Sequence, residues 1–83
     1  MNTLYEQLPV SLPEVPCGML CKVLSIGSAR LSLLLSEFGV LNGSLIRVLS
    51  FAPWKGPIAI QAEDLQFCIR REDADLIQVS LSV

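Results

Sequence analysis

A chain of 83 residues holds one domain with a small core, because at this length only about 60–65% of the unfolded surface is buried on folding. With 52% hydrophobic residues and a mean hydropathy of +0.57, some apolar side chains are expected at the surface as contact sites, yet runs such as Leu33-Leu34-Leu35 fall far short of the about 20 residues a membrane span needs. The net charge is −2, the six cations (Lys22, Arg30, Arg47, Lys55, Arg70, Arg71) are scattered, and no histidine is present, which argues against nucleic-acid binding and removes the commonest general base and metal ligand.

The N-terminal stretch MNTLYEQLPVSLPEVP has no basic region and no continuous apolar stretch, so it does not read as a secretory signal. Its prolines Pro9, Pro13 and Pro16 make residues 1–16 an extended lead-in to a domain spanning 17–83. A brief helical turn is expected first, where Thr3 and Glu6 have capping-box spacing, ended by Pro9. Three cysteines, Cys17, Cys21 and Cys68, are an odd number, which argues for a reducing compartment; the cytoplasm is the expected location.

CGMLCKVLSI, residues 17–26, reads as the first strand, with imperfect two-residue alternation. Ser28 can then cap a helix over about 29–38, in which Leu31, Leu34, Leu35 and Phe38 form one continuous face. Gly39 can end it in the left-handed conformation, letting Val40 pack back on Leu35. Leu33 does not fit this face and points towards solvent.

Asn42-Gly43 signals a turn into a second strand, SLIRVLSF, with Ile46 and Val48 inward. The turn APWKGP leads into IAIQA, and Glu63-Asp64 turns the chain into LQFCIR, with Phe67 and Ile69 inward and Cys68 outward. Glu72 and Asp73 suit the positive end of a short helix with Ala74 and Ile77 on its buried side, and QVSLSV closes as a last strand. About five short strands joined by tight turns, one good helix and one brief helical turn predict a mainly β fold: a small closed barrel with an inserted helix.

The order of these landmarks resembles the FeoA family. The resemblance rests on a Gly-led strand, a leucine-rich helix ending LSEFG, VLNGSLIRV, AP-x-x-GP and RREDADLIQV, over roughly residues 12 to 80. It implies an SH3-like barrel and a cytoplasmic accessory role in bacterial ferrous iron uptake. The implied partner is FeoB, a membrane importer with a cytosolic G-protein domain, so that any tie to the membrane runs through that partner. Three departures stand out. The helix has Arg30 alone where many members carry an arginine run. Glu63-Asp64 replaces a hairpin glycine, and the turn commonly written P-x-G-G-P is Pro53-Trp54-Lys55-Gly56-Pro57.

No cofactor, metal site or enzymatic activity is expected. The hydroxyls and thiols lack a histidine to activate them, and no Gly-rich phosphate loop is present. Cys17 and Cys21 on one regular strand would stand about 13 Å apart, too far to share an ion. A buried, inert thiol is the better account of Cys21. Glu72, Asp73 and Asp75 are better explained as helix-end charges than as a cation site. Arg30, Arg47, Arg70 and Arg71 are equally eligible as an arginine finger for the importer's G-domain, and solvation or a salt bridge explains each as well.

The strongest functional feature is apolar. Trp54, Leu33 and either Leu49 or Phe51 are left over by the core faces. Trp54 either plugs an open end of the barrel or is offered to a partner. The partner-binding candidates are Trp54, Lys55, Leu33 and Arg30, and self-association could cover the same patch. The competing readings are a peptide-binding SH3-like module, with only Tyr5, Phe51 and Trp54 to line its groove, and a relative of the end domain of metal-dependent repressors.

Overall fold

The structure, a computed structural model, describes residues 9–81. The helical turn expected at Thr3–Glu6, and Tyr5, lie outside the described residues. Six strands form one antiparallel sheet: β1 (Val10–Ser11), β2 (Leu20–Ile26), β3 (Leu45–Phe51), β4 (Ile58–Ala62), β5 (Leu65–Ile69) and β6 (Ile77–Ser80). Their order across the sheet is β1-β6-β2-β3-β4-β5. Helix α1 (Ala29–Glu37) joins β2 to β3, the single turn α2 (Arg71–Ala74) joins β5 to β6, and a 3-10 turn (Leu12–Glu14) follows β1.

Alternation puts one face of each long strand inside. Cys21 and Val23 of β2, Ile46 and Val48 of β3, and Ile58, Ile60 and Ala62 of β4 are buried, as are Ile69, Ile77 and Val79. They form one cluster with Leu12, Val15, Leu31, Leu35, Val40 and Ala74. Register shifts at Val23/Ser25 and Val48/Ser50 mark bulges, the usual device for bending strands around a small core. The interior void that Leu12, Val23, Leu35 and Phe67 help to line is about 10 Å³, space for one water at most. The barrel is a packed core and not a ligand chamber.

Helix α1 has the ends its sequence prescribes. The Ser28 hydroxyl accepts a hydrogen bond from the Leu31 N–H at 3.2 Å. At the other end Gly39 takes φ 84°, its N–H donates to the Ser36 carbonyl at 3.0 Å, and the Val40 N–H donates to the Leu35 carbonyl at 2.9 Å. That pair of bonds is a Schellman cap, and buried Val40 lies at the position that packs back on Leu35. Gly43, at φ 95°, donates to the Val23 carbonyl in the turn that leads into β3.

Four expectations are corrected. The lead-in does more than lead: Val10 and Ser11 pair with Val79 and Gln78 as a sixth strand, and Leu12 and Val15 are buried to 0% and 1% exposure. The first strand starts at Leu20, because Pro16-Cys17-Gly18 turns instead, with Gly18 at φ 85° and the Met19 N–H bonded to the Pro16 carbonyl. The buried arc of α1 is narrower than its apolar stripe. Leu31 and Leu35 are inside, whereas Leu34 and Phe38 are 41% and 37% exposed. A helix lying on a curved sheet touches it along a narrow strip, and Phe38 reaches it at the edge, against the Phe67 ring at 4.7 Å. Finally, no ladder among the described residues joins β1 to β5, so the sheet curls around its core with two edges and is not a closed ring.

Candidate functional site

The β3–β4 connection is a small rigid platform. The Ala52 N–H donates to the Pro57 carbonyl at 3.0 Å, and inside that pair the Gly56 N–H donates to the Pro53 carbonyl at 3.1 Å. Trp54 and Lys55 occupy the central positions of the inner turn, both at φ 57°, the φ signs of a type I′ turn. Such a turn normally takes Asn and Gly, and a bulky residue with positive φ is an outlier costing about 1–2 kcal/mol. Gly56 is required for a different reason. A Cβ there would stand 2.9 Å from the Ala52 Cβ and 3.1 Å from the Pro53 carbonyl oxygen. The turn is therefore tight enough at Gly56 that only glycine fits without displacement.

Trp54 is 94% exposed. It does not plug the barrel. Lys55 beside it is exposed and makes no ion pair with a described residue. Phe51, one of the apolar residues left over in the sequence, packs against the core cluster, and Leu49 is half-buried.

Leu33 and Arg30 sit apart from that pair, on the outer side of α1. Leu33 is 68% exposed, as its position opposite the buried stripe requires. Arg30 is committed elsewhere: its Nη2 lies 3.3 Å from Oδ1 of Asp73, tying α1 to α2. Arg70 Nε donates to Oδ2 of the same carboxylate at 3.0 Å. The hydrogen bond from Arg70 holds the Asp73 carboxyl below its ordinary range against the opposing effect of burial, and Arg30 adds to the lowering. The four candidates therefore lie on two elements, Trp54 and Lys55 in the β3–β4 turn and Leu33 and Arg30 on α1.

The other arginines and acids are likewise placed. Arg47 Nη1 donates to the Gly18 carbonyl at 2.6 Å, and Arg71 is half-buried. Of the expected acidic trio, Asp73 is buried between two guanidiniums while Glu72 and Asp75 are exposed. Among the described residues no three of Cys, Asp and Glu are grouped to hold a metal ion. Cys21 is buried and its thiol is pushed up to about 11 by that burial, which keeps it protonated and inert; Cys17 and Cys68 are exposed. No helix of the described residues is long and apolar enough to cross a membrane.

Sequence reasoning missed two features of the site. One is the double left-handed backbone at Trp54-Lys55, whose only trace is the departure from the glycine-rich turn pattern. The other is an open groove of about 290 Å³ on the outer face of β2–β4, lined by Leu20, Leu45, Arg47, Gln61 and Glu63. Its signal was the outward alternation of Leu45 and Arg47.

Comparison with known proteins places this geometry. The FeoA domain model matches residues 10–81. Among solved structures, the FeoA protein of Chlorobium tepidum superposes with a TM-score of 0.82 at 27% identity, covering 89% of this chain and 71% of that one. The crystal structure of an iron uptake regulatory protein (FeoA) gives 0.75 at 32% identity, covering 88% and 96%. Stenotrophomonas maltophilia FeoA complexed with zinc, a prokaryotic SH3 domain protein, gives 0.73 at 22% identity over 86% and 89%, a likeness of fold. No curated protein matches in sequence.

Proposed function

We propose a function that proceeds from the chain's family: the chain belongs to the FeoA family, non-enzymatic accessory proteins associated with ferrous iron transport, and has their SH3-like fold. Within that role it acts in the cytoplasm, binds the cytosolic part of the importer FeoB and modulates it. The Trp54–Lys55 turn is the principal contact, and Leu33 on α1 is a second one. The observation that carries this reading is Trp54 itself, 94% exposed on a left-handed backbone.

A strained turn that serves only to connect two strands would lose nothing by carrying glycine. Here the two strained positions carry a tryptophan, a rigid amphipathic ring of the kind enriched at binding hot spots, and a lysine charge beside it. Arg30 is the weakest of the candidates, because Asp73 already holds its guanidinium.

Calorimetric titration of the FeoB cytosolic domain with the wild type, Trp54→Ala and Leu33→Ser tests the proposal. The expected result is a loss of about 2 kcal/mol or more in binding for Trp54→Ala, with a smaller loss for Leu33→Ser. Stability should change by no more than about 0.5 kcal/mol in either variant, since neither side chain is packed. Unchanged affinity for Trp54→Ala would overturn the assignment of the turn.

A further inference from the structure

The acidic residues of this chain are unevenly placed. None lies between Glu14 and Glu37, and none between Glu37 and Glu63. Strands β2, β3 and β4 therefore carry no carboxylate, and their only charges are Lys22 and Arg47. Both are exposed on the outer face, because Cys21, Val23, Ile46 and Val48 take the inner one. The register sets them beside leucines: Leu20 pairs with Arg47 and Lys22 with Leu45, so cation and leucine alternate across the two strands. Leu45 is 49% exposed, and Arg47 pairs in turn with Gln61 of β4.

This is the face that holds the groove lined by Leu20, Leu45, Arg47, Gln61 and Glu63. Its shape and chemistry define one occupant. Leu20 and Leu45 line the groove with apolar surface and Arg47 with positive charge, and Lys22, paired with Leu45, adds a second cation on the same face beside it. Arg47 is steadied by its bond to the Gly18 carbonyl, which leaves its other N–H groups for a ligand. The single acid of the lining is Glu63, whose backbone carbonyl accepts from the Gln61 amide. A flat anionic bilayer matches neither the concavity nor the carboxylate in the lining. A protruding leucine-like side chain flanked by carboxylates matches both the leucines and the cations.

We propose that the outer face of β2–β4 is a second binding surface, distinct from the Trp54 turn, and that it takes an acidic amphipathic segment of a partner protein. The surface stands on charge complementarity and shape and is independent of which protein is bound through Trp54. Charge supplies the approach and the register, and the two leucines supply the apolar contact.

The test uses a fluorescently labelled amphipathic peptide with leucines on one side and glutamates flanking them, and the same peptide with lysines in place of the glutamates. Fluorescence anisotropy against the whole chain should show saturable binding of the acidic peptide, weakening as salt is raised, and none of the basic one. Lys22→Glu and Leu45→Ser should each weaken binding about tenfold, whereas Trp54→Ala should leave it unchanged. Lys22 and Leu45 are exposed, so both variants should fold, which circular dichroism verifies. Equal binding of both peptides would overturn the proposal. So would insensitivity to Lys22→Glu and Leu45→Ser, or binding only to phosphatidylserine vesicles. So would sedimentation showing a dimer of the chain that Leu45→Ser dissociates, since the face would then belong to a second copy. None of these results bears on docking through Trp54, whose own test uses FeoB.

Discussion

Among the described residues three non-glycines sit in the left-handed region, Trp54, Lys55 and Glu63, at φ 57°, 57° and 55°. Two of them, Lys55 and the Glu63 of the Glu63-Asp64 turn, fall in turns where the family resemblance implies a glycine, and their strain is the cost of having a side chain there. Returning either to glycine removes about 1–2 kcal/mol of strain and gives back about 0.4–1 kcal/mol through the freer unfolded chain. Glu63→Gly should therefore stabilise the protein by about 0.5 kcal/mol, raising the melting temperature by about 2–4 °C. Lys55→Gly should do the same for stability and cost partner affinity. Thermal melts of the two variants check this; a lowered melting temperature for both would mean that the turn conformation is not strained. The exposure of Trp54 was not legible in the sequence, because PWKGP does not disclose which way the turn throws its central side chains. That direction follows from the sign of φ at 54 and 55, and Pro53 and Pro57 fix neither.

Among the elements, the short N-terminal strand and 3-10 turn contribute more to the core than their length suggests. Leu12 is wholly buried in the core, so Leu12→Ala should cost about 2–5 kcal/mol, measured by urea unfolding. Leu34→Ala, on the half-open flank of α1, should cost less than about 1 kcal/mol in the same measurement. The prolines concealed this in the sequence. A two-residue strand has no periodicity to read, and Pro13 sits harmlessly at the start of a 3-10 turn. By contrast α1 was legible nearly to the residue, since Ser28 and Gly39 act locally.

The link between α1 and α2 could not be read, because Arg30 and Asp73 are 43 residues apart. It has a pH signature. The folded carboxyl of Asp73 is lowered below its unfolded value, chiefly by the hydrogen bond from Arg70. Its contribution is therefore complete above the unfolded value of about 4 and is lost as pH falls through the folded one. Asp73→Asn should be less stable than the wild type at neutral pH, and the gap should narrow as pH is lowered below the unfolded carboxylate value, as urea melts at a series of pH values would show. A gap that stays constant with pH would mean that the carboxylate charge contributes nothing.

For the whole molecule, the class of fold was legible because short alternating strands and turn residues recur along nearly the entire chain. The open edges were not, because strand order depends on pairings such as Val10 with Val79. The curled sheet leaves an interior void of only about 10 Å³ among the described residues, so the candidate contacts all lie on the surface. That surface divides into an aromatic turn at one connection, an exposed leucine on the helix and a cation–leucine face on β2–β4. If the contacts proposed above engage one partner, each raises the effective concentration for the next.

Trp54 is the only tryptophan, so its emission reports the central claim without a label. The measurement is the emission maximum of the free protein, followed through a titration with a tryptophan-free FeoB cytosolic domain. The account predicts long-wavelength emission at the start, from an indole in water, and a saturable blue shift as the partner covers it. An emission maximum that stays put while calorimetry records saturating binding would contradict it, since FeoB would then be bound without touching the turn.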